Sequence, residues 1–147
     1  MKLTGENQEI EMRVLGYECP QPRKSYWDNN WLMIGCRKRS GEHEISGSFP
    51  CCLTVELARL RRLLKEILDG TRDEFQWGGT EPNLTISLER KENGYALSIF
   101  FYLENGMESF DQVRPFQKNA SEEEVEMLVR FCDEALTRYP EREIGDR

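Results

Sequence analysis

The side chains that could do chemistry in this chain are five cysteines, one histidine and 27 carboxylates. Cys19, Cys36, Cys51, Cys52 and Cys132 are odd in number and have no C-x-x-C spacing, so no zinc knuckle or redox pair is encoded locally. Neighbouring Cys51 and Cys52 on a strand are expected to point to opposite faces, which suits neither a shared metal nor a mutual disulfide. Reduced, mostly buried thiols are the expectation. His43, the single histidine, sits in the polar turn Gly41-Glu42-His43-Glu44 and reads as a surface residue. Without a second histidine there is no zinc cluster of familiar spacing, and no Ser-His-Asp or Cys-His arrangement is evident. The phosphate-cradling patterns G-x-x-x-x-G-K-[ST] and G-x-G-x-x-G do not occur. Carboxylates alone can hydrolyse glycosides if two stand at the right separation. Glu81 and Glu108 typify many such candidates, but 27 acids guarantee chance pairs. The expectation is no catalytic residue, no metal and no cofactor, in a protein that is not an enzyme.

Binding is the better lead. The net charge is −7, and the halves differ. Residues 1–73 carry 12 Lys and Arg against 11 Asp and Glu; residues 74–147 carry 8 against 16. An acidic second half disfavours direct nucleic-acid binding and favours a basic partner. The basic residues Arg37, Lys38, Arg39, Arg59, Arg61, Arg62 and Lys65 lack the interleaved aromatics of a single-strand platform. Tyr26-Trp27-Asp28-Asn29-Asn30-Trp31 places two tryptophans before a strand, and Trp77 lies in a Gly-rich stretch. Trp31 reads as core, and Trp27 as a seal on the sheet edge. Alternatively, an exposed Trp27 or Trp77 would anchor a protein partner. By residue type and loop position the candidate partner-binding residues are Trp27, Asp28, Trp77, Glu81, Glu104 and Glu108.

These residues must be positioned by a single domain, 1–147, with an ordered core over about 8–140 and a frayed tail over 141–147. No segment has the ~18 consecutive apolar residues of a membrane span, and the first residues lack the apolar run of a signal peptide. Cytoplasmic residence is expected. Ile10, Met12 and Val14 alternate with charged residues as a half-buried strand, and 30–37 reads as an interior strand. Lys38-Arg39-Ser40-Gly41-Glu42 reads as a turn, and 44–49 as a strand stopped by Pro50. Thr54 is the expected N-cap of a helix with an apolar stripe at Leu57, Leu60, Leu64, Ile67 and Leu68, closed by Gly70. Residues 76–83 read as a loop. Leu84 to Leu103 reads as a hairpin with a type I′ turn at Asn93-Gly94, pairing Leu88 with Ile99, Ile86 with Phe101 and Leu84 with Leu103. A further strand over 108–116 follows Asn105-Gly106, with its register open. Ser121 and Glu124 form a capping box for a last helix with Val125, Leu128, Val129, Cys132 and Ala135 on one face. The predicted fold class is α+β: a mostly antiparallel sheet of about six strands with two amphipathic helices packed on one face.

Four short motifs recur in a familiar order: Trp27-Asp28-Asn29-Asn30-Trp31-Leu32, Cys52-Leu53-Thr54-Val55-Glu56-Leu57 opening a helix, Glu81-Pro82-Asn83-Leu84, and Tyr139-Pro140. Over about residues 10–142 the chain thereby resembles the WapI family of bacterial immunity proteins. The resemblance implies a small cytoplasmic protein encoded beside a large repeat-containing toxin. It would bind and block that toxin's C-terminal, nuclease-type domain. The resemblance offers no catalytic residues to carry over. The partner expected is a cognate toxin domain with a basic surface. The alternatives are a housekeeping interaction or scaffold domain without a toxin partner, or a carboxylate-dependent enzyme. The oligomeric state is left open.

Overall fold

The computed structural model describes residues 1–81, 83–102 and 114–143. It is α+β, and the described residues form eight strands in two antiparallel sheets rather than about six in one. The first sheet holds β1 (Lys2–Gly5), β2 (Gln8–Tyr17), β3 (Trp31–Ser40) and β4 (His43–Leu53), in that spatial order. The short helix α1 (Tyr26–Asn30) interrupts it between β2 and β3, and α2 (Thr54–Asp69) follows β4. The second sheet holds β5 (Glu74–Gly78), β6 (Leu84–Lys91), β7 (Gly94–Phe101) and β8 (Phe116–Ala120), again in order, and α3 (Glu122–Arg138) closes the chain. One continuous apolar cluster draws on both sheets and both long helices. Phe49 of β4 and Phe101 of β7 stack across it with centroids 6.5 Å apart.

Two strands escaped the sequence pattern. β1 is too short to show a period and pairs with β2 through a turn at Asn7, whose φ is 55°. Met1 reciprocally bonds Met12, which extends the β1–β2 pairing to the first residue. β5 takes in residues 76–78 of the stretch assigned to a loop, because Gly78-Gly79 terminates a strand whose Phe75 and Trp77 are buried. The expected turn at 38–42 is shorter: Lys38 to Ser40 belong to β3, and Gly41, with φ 60°, makes the corner.

The strand over 44–49 passes through Pro50, which β4 tolerates as an edge strand. Met33 pairs with Pro50 and Leu32 with Cys52, leaving Cys51 as the extra residue of a bulge. That bulge undoes the expected alternation, and Cys51 and Cys52 are both fully buried. Thr54 is the first helical residue rather than the cap. Leu53 is the N-cap, and its N–H donates to Glu56 Oε2 at 2.8 Å. Gly70 takes the left-handed conformation expected at the helix end, with φ 85°. Ser121 and Glu124 form the expected capping box of α3.

The hairpin β6–β7 is antiparallel, but its register differs by two residues from the expected one. Leu84 faces Phe101, Ile86 faces Ile99 and Leu88 faces Leu97. The turn residues are Glu92-Asn93, neither with positive φ, and Gly94 beyond them takes φ 133°. A type I′ turn would need positive φ at both central residues, so the chain closes one residue earlier. A shift of two keeps the same side chains inward, so the apolar pattern could not distinguish the two registers. Leu103, Glu104, Glu108 and the register beyond Asn105-Gly106 lie outside the described residues.

Candidate partner-binding surface

Asn30 organises one end of the molecule. Its side chain is fully buried, and Nδ2 donates to the carbonyls of Tyr26 and Arg142, each at 2.9 Å. Oδ1 accepts from the Thr54 hydroxyl at 3.1 Å and from the Arg142 N–H at 2.7 Å. α1, the first turn of α2 and the segment after α3 therefore meet on one side chain. Arg142 adds bonds to the carbonyls of Cys19 and Pro20, both 3.0 Å, and lies over the Tyr17 ring. The Tyr26 hydroxyl donates to Glu141, and that bond, with some burial, pushes its pKa up to about 12. Glu141 and Arg142 thus bond to α1 and to the loop after β2; residues 144–147 lie outside the described residues.

Glu56 ties the next loop to the same end. Its Oε1 accepts from the Thr80 N–H at 2.7 Å and the Thr80 hydroxyl at 2.6 Å. Gly79 permits this approach, since a Cβ there would stand 2.9 Å from the Cys51 carbonyl oxygen. Trp27, 52% exposed, and the exposed Asp28 stand on α1. Glu81, also exposed, follows Thr80. Asn30 of α1 and Thr80 before Glu81 are both bonded to the first turn of α2, where Val55 is 47% exposed. Three of the six candidate residues are therefore brought to one end. Trp77 is not among them: it is buried, its indole N–H donates to the Glu56 carbonyl at 2.8 Å, and it packs in the core. Glu104 and Glu108 lie outside the described residues. Sequence reasoning missed Val55, whose only signal is an apolar residue off the helix stripe.

The outer faces of the two sheets differ in charge. On the first sheet, cross-strand neighbours alternate in sign, as in Lys2, Glu11 and Arg37, and again in Glu9, Arg39 and Glu44. Arg37 reaches Glu9 at 2.9 Å, Glu11 at 3.2 Å and Glu44 at 3.5 Å. Burial works to raise the Glu9 pKa, but Lys2, Arg37 and Arg39 outweigh it and hold that carboxyl below its ordinary value. On the second sheet, Gln76, Ser87, Ser98 and Gln117 form one row across all four strands. The next row begins with Glu74 directly opposite Glu89. These residues line a shallow groove of about 710 Å³.

Burial explains the cysteines, all of which are free. It pushes Cys36 up to about 12 and raises Cys132 as well, while Cys51 is raised first by its contact with Cys52 and then by burial. Two buried nitrogens, Asn29 Nδ2 and Lys38 Nζ, have no hydrogen-bond partner among the described residues. Burial, then the charge of Arg114, holds Lys38 below its ordinary pKa. Among the described residues no group of three His, Cys, Asp or Glu could hold a metal ion, and no helix is long and apolar enough to cross a membrane. A family model described as "Immunity protein WapI-like family" matches residues 2–140. No curated protein and no solved structure matches the chain.

Proposed function

The chain belongs to the WapI-like immunity protein family, and from that premise we propose that it binds and neutralises a cognate bacterial toxin without chemistry of its own. The family match over residues 2–140 carries this reading, because it spans every strand and helix of the described residues. The surface around the first turn of α2 suits such a role. Trp27 offers a large apolar contact and Val55 a smaller one, with Asp28 and Glu81 as flanking acids. Asn30 bonds the backbone of α1, and Glu56 bonds Thr80 just before Glu81, which lowers the ordering entropy lost on binding.

The partner proposed is a nuclease-type toxin domain with a basic surface. A nuclease grips phosphates with Lys and Arg, and an acidic protein can occupy the same cleft. Co-expression with the C-terminal domain of a repeat-bearing toxin whose gene adjoins that of this chain tests the reading. Restored growth is expected; growth arrest that persists despite soluble chain would sink it. Cleft occupation has its own test: affinity should fall steeply as salt rises, and a salt-independent constant would exclude it.

A further inference from the structure

We propose that the groove on the outer face of β5–β8 is a docking surface for a basic segment of the protein partner, with an Arg or Lys side chain seated between Glu74 and Glu89. The inference rests on the toxin-binding reading and assigns it a second contact area.

The floor of the groove is made of small side chains, Ser87, Ala96 and Ser98, on the two central strands. Its walls are longer: Glu74 and Gln76 on β5, Gln117 and Asn119 on β8. Strands stand about 4.8 Å apart, so the two walls are roughly 14 Å from each other, wide enough for one polypeptide segment. The inward face of the same sheet is filled by Trp77, Ile86, Leu97, Ile99 and Phe116, whereas Gln76, Gln117 and Asn119 on the outward face are exposed.

Charge selects the occupant. Opposed like charges destabilise a sheet, and opposite charges stabilise it. The first sheet follows that rule across its outer face; the second breaks it at Glu74 and Glu89. Lys91 pairs with Glu89 at 2.9 Å from the far side along the same strand, while Glu74 has no ion pair among the described residues. A guanidinium or ammonium placed between the two carboxylates would relieve the repulsion, and the Gln76–Ser87–Ser98–Gln117 row would supply donors and acceptors to the segment that carries it. A second, smaller depression shares Gln76, Ser87 and Ser98 with the groove and reaches Gly78, two residues before the Thr80 that Glu56 holds. One partner could therefore contact both surfaces.

The test is calorimetric binding of the toxin's C-terminal domain to the full chain and to two doubly neutralised variants. Glu74→Gln/Glu89→Gln changes the groove. Glu126→Gln/Glu134→Gln removes the same charge from exposed positions on α3. The groove variant should bind about tenfold more weakly than the α3 variant. Ser98→Phe, which fills the floor without changing charge, should also weaken binding. Equal affinities for the two doubly neutralised variants would overturn the proposal. So would a wild-type chain that forms a dimer sensitive to Ser98→Phe, because the occupant would then be a second copy. If the wild-type chain does not bind the toxin domain, the toxin reading fails, and an amide NMR titration with hexa-arginine decides the groove separately. Shifts confined to Ser87, Glu89, Ser98 and Gln117 would support it; shifts spread over α3 would overturn it.

Discussion

Replacing Asn30 with alanine should cost this domain a large share of its stability. The substitution removes all four hydrogen bonds of a fully buried amide. The Thr54 hydroxyl, itself 1% exposed, is then left inside without a partner, at about 1–3 kcal/mol. The carbonyls of Tyr26 and Arg142 and the Arg142 N–H lie nearer the surface and recover some water, at about 0.5–1 kcal/mol each. The total is about 2.5–6 kcal/mol, against a stability of roughly 5–15 kcal/mol for a domain of this kind. Urea unfolding followed by tryptophan fluorescence measures it: the midpoint should fall with little change in slope. A loss below about 1 kcal/mol for Asn30→Ala would refute the claim that this side chain holds the α1 end together.

Gly79→Ala should destabilise by about 1–3 kcal/mol, because its Cβ would press on the Cys51 carbonyl at 2.9 Å and Cys52 Cβ at 3.1 Å; a wild-type urea midpoint would contradict that packing. Glu124 carries a pH signature. Burial works to raise its pKa, but Lys118 and Ser121 outweigh burial and hold it below the ordinary value. A depressed carboxyl pKa stabilises above the unfolded value and loses that contribution as pH falls through the folded one. The stability gap between wild type and Glu124→Gln should therefore be full near pH 7 and shrink below about pH 4; a gap unchanged down to acid unfolding would refute it. An aromatic disulfide reagent should titrate half-buried Cys19 promptly in the native chain and all five thiols only after unfolding. Prompt reaction of a second thiol would show a core less closed than described.

What the sequence disclosed follows the range of the interactions involved. α3 was legible because its cap, Ser121 and Glu124, and its apolar face are local. The inward faces of β6 and β7 were legible for the same reason, while their register was not, since a slip of two residues preserves every face. β5 was hidden by its glycines, and α1 by its five-residue length. Trp27 stands exposed on α1, whereas Trp77 resembles it by residue type and neighbouring turns and is buried by a contact with α2. Asn30 could not be recognised as a hub, because its partners Thr54 and Arg142 are 24 and 112 residues away. The groove was equally hidden. Gln76, Ser87, Ser98 and Gln117 come from four strands, and only the observed register sets them in one row.

The most direct measurement is the activity of the purified cognate toxin domain titrated with this chain. Neutralisation by binding predicts stoichiometric loss of activity, with inhibition that weakens as ionic strength rises. Full toxin activity in the presence of excess folded chain would contradict the account.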